Sequence, residues 1–187
     1  MRRGNLFVLS APSGAGKSSV LSSLIEKEKT ITTSVSHTTR EPRGNEKDGL
    51  DYYFISRSRF LKMAENEEFL EFAEVFGNLY GTSKRAITEQ QEKGLDVILE
   101  IDWQGATQLM ALNSDITSIF LLPPSLSDLE ARLQNRGQDS QESINRRLAQ
   151  AEDDMRQSVN YEHVITNRVL EKTRDELLSI IKKRSRY

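Results

Sequence analysis

The sequence predicts an α/β domain: a mostly parallel sheet covered by helices, carrying an inserted small mixed sheet and a polar helical segment. Three observations predict it. Continuous apolar runs at Asn5–Ser10, Val97–Ile101 and Ile119–Leu122 have the composition of strands buried on both faces. Segments of helical period lie between and after them. Two stretches, from Thr38 to about Thr82 and from Ser127 to about Ser158, break that rhythm.

In chain order, Asn5–Ser10 is the first strand, and Val20, Leu21, Leu24 and Ile25 recur after Lys17 at the spacing of one helix stripe. The first interruption carries Gly44, Gly49, Gly77 and Gly81, with strand-like runs at Asp51–Ile55 and Phe69–Phe76 and a short helix expected near Ser58–Asn66. Val97–Ile101 and Ile119–Leu122 return the chain to the main sheet. After Pro123-Pro124, Leu126, Leu129 and Leu133 form a second stripe. The second interruption holds Arg132, Arg136, Arg146, Arg147 and Arg156, and Asp139 followed by Glu142 reads as a capping box opening a helix. Val169, Leu177, Leu178 and Ile181 are expected to line a last helix, whose basic end Lys182-Lys183-Arg184-Ser185-Arg186 complements its dipole. Trp103 is expected in the core or as a packing wedge, and His37 and His163 as loop or strand-end residues.

The chain has 187 residues, enough for one domain with a sizeable core. Lys plus Arg number 26 against 28 Asp plus Glu, a balance that argues against a nucleic-acid coat or a membrane-surface protein. With no cysteine there is no disulfide framework, zinc–thiolate site or thiol catalysis, and two histidines are too few for a histidine-rich metal site. Arg2 and Arg3 precede a run of only a few apolar residues, so neither a signal peptide nor a bilayer span is expected. The expected location is the cytoplasm.

Chemistry enters at Ala11-Pro12-Ser13-Gly14-Ala15-Gly16-Lys17-Ser18-Ser19, which follows a strand and opens a helix. That order is the Walker A arrangement. Gly14 and Gly16 let backbone N–H groups converge, and with the positive end of the following helix they cradle a polyphosphate. Lys17 supplies a point charge to the outer phosphates, and the Ser18 hydroxyl suits a Mg²⁺ ligand. The general pattern opens with glycine where this chain has Ala11, so the turn there must use a conformation open to ordinary residues.

A second anion site is legible downstream. Arg40 and Arg43 bracket Pro42, and Tyr52 follows. Two guanidinium forks and a phenol suit a phosphate monoester. Phe69-Leu70-Glu71-Phe72 then sets one carboxylate among aromatic rings, although strand alternation alone leaves Glu71 free to face solvent.

Jointly these segments resemble the guanylate kinase family. The likeness is carried by Ser-Gly-Ala-Gly-Lys-Ser, Ser-x-Thr-Thr-Arg-x-Pro-Arg, Gly-x-Asp-Tyr, Ile-Asp-Trp-Gln-Gly and Arg-Gly-Gln-Asp-Ser, and runs from the phosphate loop to the C-terminal helix. It implies a three-layer P-loop kinase core (1–36, 84–126 and 159–187) with a GMP-binding insertion (37–83) and a helical lid (127–158). It further implies phosphorylation of GMP, and of dGMP, to GDP with ATP and Mg²⁺ in purine nucleotide metabolism. ATP and GMP are then the small-molecule partners, with no nucleic acid or membrane, and a homo-oligomeric state is left open. By matching motif, Arg40, Arg43, Tyr52 and Tyr80 would hold the GMP phosphate. Ser36, Glu71, Thr82 and Glu100 would meet guanine, with Glu46 and Asp102 in the same GMP-binding set. Asp102 would act on the metal through water or order the loops. Asn167 would contact the adenine of ATP, although Arg168 follows where the family tends to be acidic. Asn45 stands where glycine is usual, and asparagine tolerates the left-handed backbone expected there.

The carboxylates fit that implication. Guanine offers N1–H and an N2 amino group as adjacent donors, and an ionised carboxylate only accepts. Adenine presents an acceptor at that edge and would be repelled. Lys17, Arg40, Arg132, Arg136 and Arg147 would form the catalytic cation set, the last three as lid arginines. The bland alternative for the lid arginines is a solvated face paired with Asp128, Glu130 and Glu152. A silent interaction module would not need Lys17, Ser18 and the lid arginines. A kinase for another phosphate ester would not need Ser36, Glu71 and Glu100.

Overall fold

The computed structural model describes residues 2–112, 115–135 and 140–185. β1 (Leu6–Ser10) leads through the glycine loop into α1 (Lys17–Lys27) and β2 (Ile31–Thr33). A smaller sheet follows, built from β3 (His37–Thr38), β4 (Tyr53–Phe54), β5 (Phe69–Val75) and β6 (Asn78–Ser83), with α2 (Arg57–Glu65) between β4 and β5. α3 (Lys84–Glu92), β7 (Asp96–Glu100), α4 (Trp103–Leu112) and β8 (Thr117–Leu122) return the chain to the core. α5 (Leu126–Asn135) and α6 (Gln141–Arg156) then stand beside it, before β9 (His163–Thr166) and α7 (Leu170–Arg184).

The main sheet runs β2-β7-β1-β8-β9, and every pair is parallel. Alternation along β1 sends Phe7 and Leu9 to one face, where they pack with Val20, Leu21 and Leu24 of α1 and Leu177 and Ile181 of α7. Leu6 and Val8 face the other way, against Ile87 of α3 and Ala106 and Leu109 of α4. Three layers result, as the buried apolar runs require. The chain moves first to one side of β1 and then to the other, so the loop after β1 lies where the strand order reverses.

The small sheet is mixed: β3 pairs parallel with β4 and antiparallel with β6, and β6 pairs antiparallel with β5. Its own core is Phe60, Phe69 and Leu79, with the Phe60 and Phe69 rings stacked at 4.4 Å. Helices α5 and α6 share a third apolar cluster, Leu129, Leu133, Ile144 and Ala151. Among the described residues no helix is long and apolar enough to cross a membrane.

Four local expectations change. Helix α6 starts after Ser140, whose hydroxyl accepts the Ser143 amide; Asp139, expected to open the capping box, lies outside the described residues. Val169 is 45% exposed, because it is the extended residue before α7 and lies off the stripe formed by Thr173, Arg174, Leu177 and Ile181. The left-handed turn position is Gly44 (φ 54°), and Asn45 does not share it. Of the two places expected for Trp103, the core is not the one: it is half-buried at the start of α4, and its indole Nε1 donates to Asp154 Oδ1 of α6 at 3.0 Å, bridging the two helices. The expected short helix is α2, and His37 and His163 open β3 and β9. Lys182, Lys183 and Arg184 occupy the last turn of α7, whereas Arg186 lies outside the described residues.

Candidate active site

The loop between β1 and α1 owes its shape to two left-handed glycines, Gly14 (φ 89°) and Gly16 (φ 93°), while Ala11 needs no such conformation. The Ala15 carbonyl between them is held from outside. It accepts Asn167 Nδ2 at 2.8 Å and Arg132 Nη1 at 3.0 Å, and Arg132 Nη2 donates to the Asn167 carbonyl at 2.9 Å. Arg132 is therefore no solvated surface charge; it braces the loop from α5. Asn167 is buried and serves the loop carbonyl as well as bordering the cleft. That cleft, about 500 Å³, is lined by Ala11 through Ser19 with Glu100, Arg132, Asn167, Arg168 and Leu170.

At the inner end of the cleft, Lys17 Nζ donates to the Ile101 carbonyl at 3.2 Å and Ser18 Oγ to Glu100 Oε1 at 2.6 Å. Both bonds join the start of α1 to the end of β7, the neighbouring strand. Beyond them opens a second cavity of about 260 Å³. Its wall comes from the small sheet (Ser36, Arg43, Tyr52, Glu71, Tyr80), from the end of β7 (Glu100, Asp102) and from α6 (Arg147, Asp154). Ala11, Ser13, Lys17 and Glu100 line both cavities.

One end of the second cavity carries a buried carboxylate. Along β5 burial alternates, and Glu71 falls on the inner face with Phe69 and Ala73, which settles the ambiguity of alternation. A register shift between Phe69 and Glu71 sets Glu71 opposite Thr82. Thr82 Oγ1 donates to Glu71 Oε1 at 2.6 Å, and Ser36 Oγ lies 3.4 Å from Thr82 Oγ1. Thr82 is fully buried behind Glu71 and does not line the cavity itself. Burial pushes the Glu71 carboxyl up to about 7; the Thr82 hydrogen bonds oppose that and the Asp102 charge adds to it.

The other end is cationic. Arg40, 9% exposed, is gripped by Glu46 through two 2.9 Å bonds and donates to the Glu41 carbonyl at 2.7 Å. It lies over the Tyr52 and Phe54 rings, 5.4 and 5.8 Å from their centres. Glu46 also accepts the Arg43 amide at 2.7 Å. Burial would raise the Glu46 carboxyl, but its bonds from Arg40 and the Arg43 amide outweigh that and hold it below its usual value. Glu46 thus orients Arg40, and neither borders the cavity, whereas Arg43, Tyr52 and Tyr80 do. Burial, with the nearby Glu100 and Tyr80, pushes the Tyr52 phenol up to about 12, so it stays a hydrogen-bond donor.

From α6, Arg147 Nη1 lies 3.5 Å from Ser13 Oγ, and Arg147 faces the second cavity. Arg136 lies outside the described residues. Asp102 Oδ1 accepts the Gly105 amide at 2.9 Å, the N-terminal cap of α4, so Asp102 orders the helix start as well as bordering the cavity. Sequence reasoning missed Asp154, a carboxylate in a polar helix with no motif around it, and Leu170 at the mouth of the first cleft.

Comparisons agree with this geometry. The family model described as Guanylate kinase matches residues 3–184. A guanylate kinase of Hahella chejuensis is 49% identical over 182 residues, 97% of this chain and 88% of that protein. One of Pseudomonas fluorescens is 52% identical over 164 residues, 88% of this chain and 80% of that protein. The crystal structure of guanylate kinase from Anaplasma phagocytophilum superposes with a TM-score of 0.81 at 36% identity, covering 99% of this chain and 88% of that one. The chain belongs to the guanylate kinase family.

Proposed function

We propose that this protein transfers the terminal phosphoryl group of ATP to GMP, and to dGMP, giving ADP and GDP or dGDP. The observation that carries the proposal is the meeting of two cavities at Lys17, one walled by the phosphate loop and the other by the guanidinium, phenol and carboxylate groups of the small sheet. ATP lies in the first, its phosphates against the loop amides, with Asn167 and Arg168 at the outer edge. GMP lies in the second, its base edge toward Glu71 and Ser36 and its phosphate toward Arg43, Tyr52 and Tyr80. Arg40, held by Glu46, backs that phosphate, and Thr82 fixes the carboxylate that reads the base.

The attacking oxygen belongs to a phosphate already ionised at neutral pH, so no general base is required. The protein's work is to hold two polyanions in line and to offset charge on the transferring oxygens. Lys17 faces both cavities and Arg147 reaches the loop from α6; Arg132, bonded to the Ala15 carbonyl, keeps the loop in shape. Arg136 completes the lid cations in this assignment. Together the small sheet (37–83) and the lid (127–158) would enclose the junction and exclude water.

Mg²⁺ with ATP fits the residues present. The Ser18 hydroxyl and the Glu100 carboxylate lie at the junction, and such hard oxygen donors, few in number, suit an ion that takes its other ligands from phosphates and water. When bound, the ion would offset phosphate charge. The cytoplasm is the proposed location. A coupled ADP-release assay with GMP, dGMP, AMP, CMP and UMP tests the proposal: turnover is expected with GMP and dGMP, and equal turnover with AMP would overturn it.

A further inference from the structure

The buried carboxylate is seated against a glycine of a different layer. Gly105, in the first turn of α4, is buried, and a Cβ at that position would lie 2.3 Å from Glu71 Oε2 and 3.1 Å from its Cδ. The first distance is far inside ordinary contact and the second is a few tenths of an ångström inside it. The carboxylate can give way only by leaving the position that Thr82 sets through Oε1 at 2.6 Å, and so by shifting within the second cavity that it lines. The helix is not free to retreat. Gln108, one turn on and on the same face as Gly105, donates Nε2 to the Phe72 carbonyl at 2.9 Å and accepts the Phe72 amide at 3.4 Å. Its side-chain amide thereby ties α4 to the residue beside Glu71. The Gly105 amide is itself committed to Asp102 Oδ1, which fixes the helix start.

We propose that Gly105 is a positioning residue for base recognition: the absent side chain leaves the seat in which the Glu71 carboxylate is turned toward the second cavity. Selectivity for guanine is then set by α4 of the core as well as by the inserted sheet. The proposal rests on Glu71 meeting the guanine edge and adds what holds it there.

Steady-state kinetics of wild type, Gly105→Ala, Glu71→Asp and the double variant test it. Gly105→Ala is expected to raise KM for GMP by about tenfold or more, as sub-ångström misplacement of a recognition group does, with KM for ATP within about twofold. Aspartate at 71 withdraws the carboxylate by one methylene, so adding Gly105→Ala to Glu71→Asp should change KM for GMP by less than about twofold. An equal factor in both backgrounds, or a parallel rise in KM for ATP, overturns the proposal. If Gly105→Ala does not fold, the double variant decides: folded with the KM of Glu71→Asp supports the seat, and unfolded overturns it. Glu71→Gln separates the underlying assignment. If it leaves KM for GMP unchanged, the base assignment falls and this proposal with it; if it raises KM while Gly105→Ala does not, only this proposal falls.

Discussion

Exchanging Glu71 for glutamine is expected to stabilise the ligand-free protein, and to do so in a pH-dependent way. Burial lifts the Glu71 carboxyl from 4.5 to about 7. Because the folded value lies above the unfolded one, the stability linked to the neutral carboxyl is fully present below about pH 4.5 and is lost as pH rises through about 7. At pH 8 the wild-type protein therefore buries an ionised carboxylate. At about 1.4 kcal/mol per pH unit, the distance from 4.5 to about 7 amounts to roughly 3 kcal/mol. Glutamine has no such cost and can still accept the Thr82 hydroxyl. For a chain of this size the gain corresponds to roughly 6–12 °C in Tm at pH 8. It should fall below about 1 kcal/mol at pH 5, where the wild-type carboxyl is protonated in the fold. Thermal melts of both proteins without nucleotide, at pH 5 and pH 8, measure this. A gain of the same size at both pH values, or a Glu71→Gln protein less stable than wild type at pH 8, would refute the reasoning. In the same variant KM for GMP should rise about 10- to 100-fold, the worth of one charged hydrogen-bond acceptor.

The same titration predicts that KM for GMP rises about tenfold per pH unit as pH falls below about 7 while KM for ATP does not follow; parallel profiles would remove Glu71 from the base edge. Lys17→Met should lower kcat by about 100- to 1000-fold and leave GMP binding by calorimetry largely intact. An equal loss of GMP affinity would show the two sites to be misassigned. Glu46→Ala frees the nearly buried Arg40 guanidinium of its two 2.9 Å bonds. It should cost about 1–3 kcal/mol of stability in denaturant titrations and raise KM for GMP, whereas an unchanged KM would place Arg40 outside the phosphate site.

How much of this was legible in the sequence follows from how far apart the cooperating residues lie. The phosphate loop is nine consecutive residues, Ala11 to Ser19, between a strand and a helix, and its chemistry is readable without a fold. The main-sheet strands β1, β7 and β8 announce themselves because burial on both faces leaves no polar alternation. The three-residue β2 and the edge strand β9 carry too little apolar signal to stand out. Side-chain partnerships were less legible. Ser18 with Glu100 and Lys17 with the Ile101 carbonyl join residues 82 and 84 positions apart, and only the parallel pairing of β1 with β7 brings them together. Alternation along β5 gives Glu71 the same face as Phe69 and Ala73 but does not say which face is buried, and its pairing with Thr82 depends on a register shift against β6 that no local pattern shows. Val169 misled because periodicity counts only inside a helix, and that residue is still extended (φ −133°, ψ 121°). The motif resemblance assigned Arg132 and Asn167 to ligands; the fold also gives them the Ala15 carbonyl.

The division of labour at Lys17 is the central claim, and its most direct measurement is a crystal structure with a single ligand joining adenosine and guanosine through a polyphosphate chain. It should show the guanine edge against Glu71 and Ser36, the adenosine in the cleft bordered by Asn167 and Arg168, and the phosphates passing Lys17. Guanosine seated in the loop cleft, or a phosphate chain that bypasses Lys17, would contradict it.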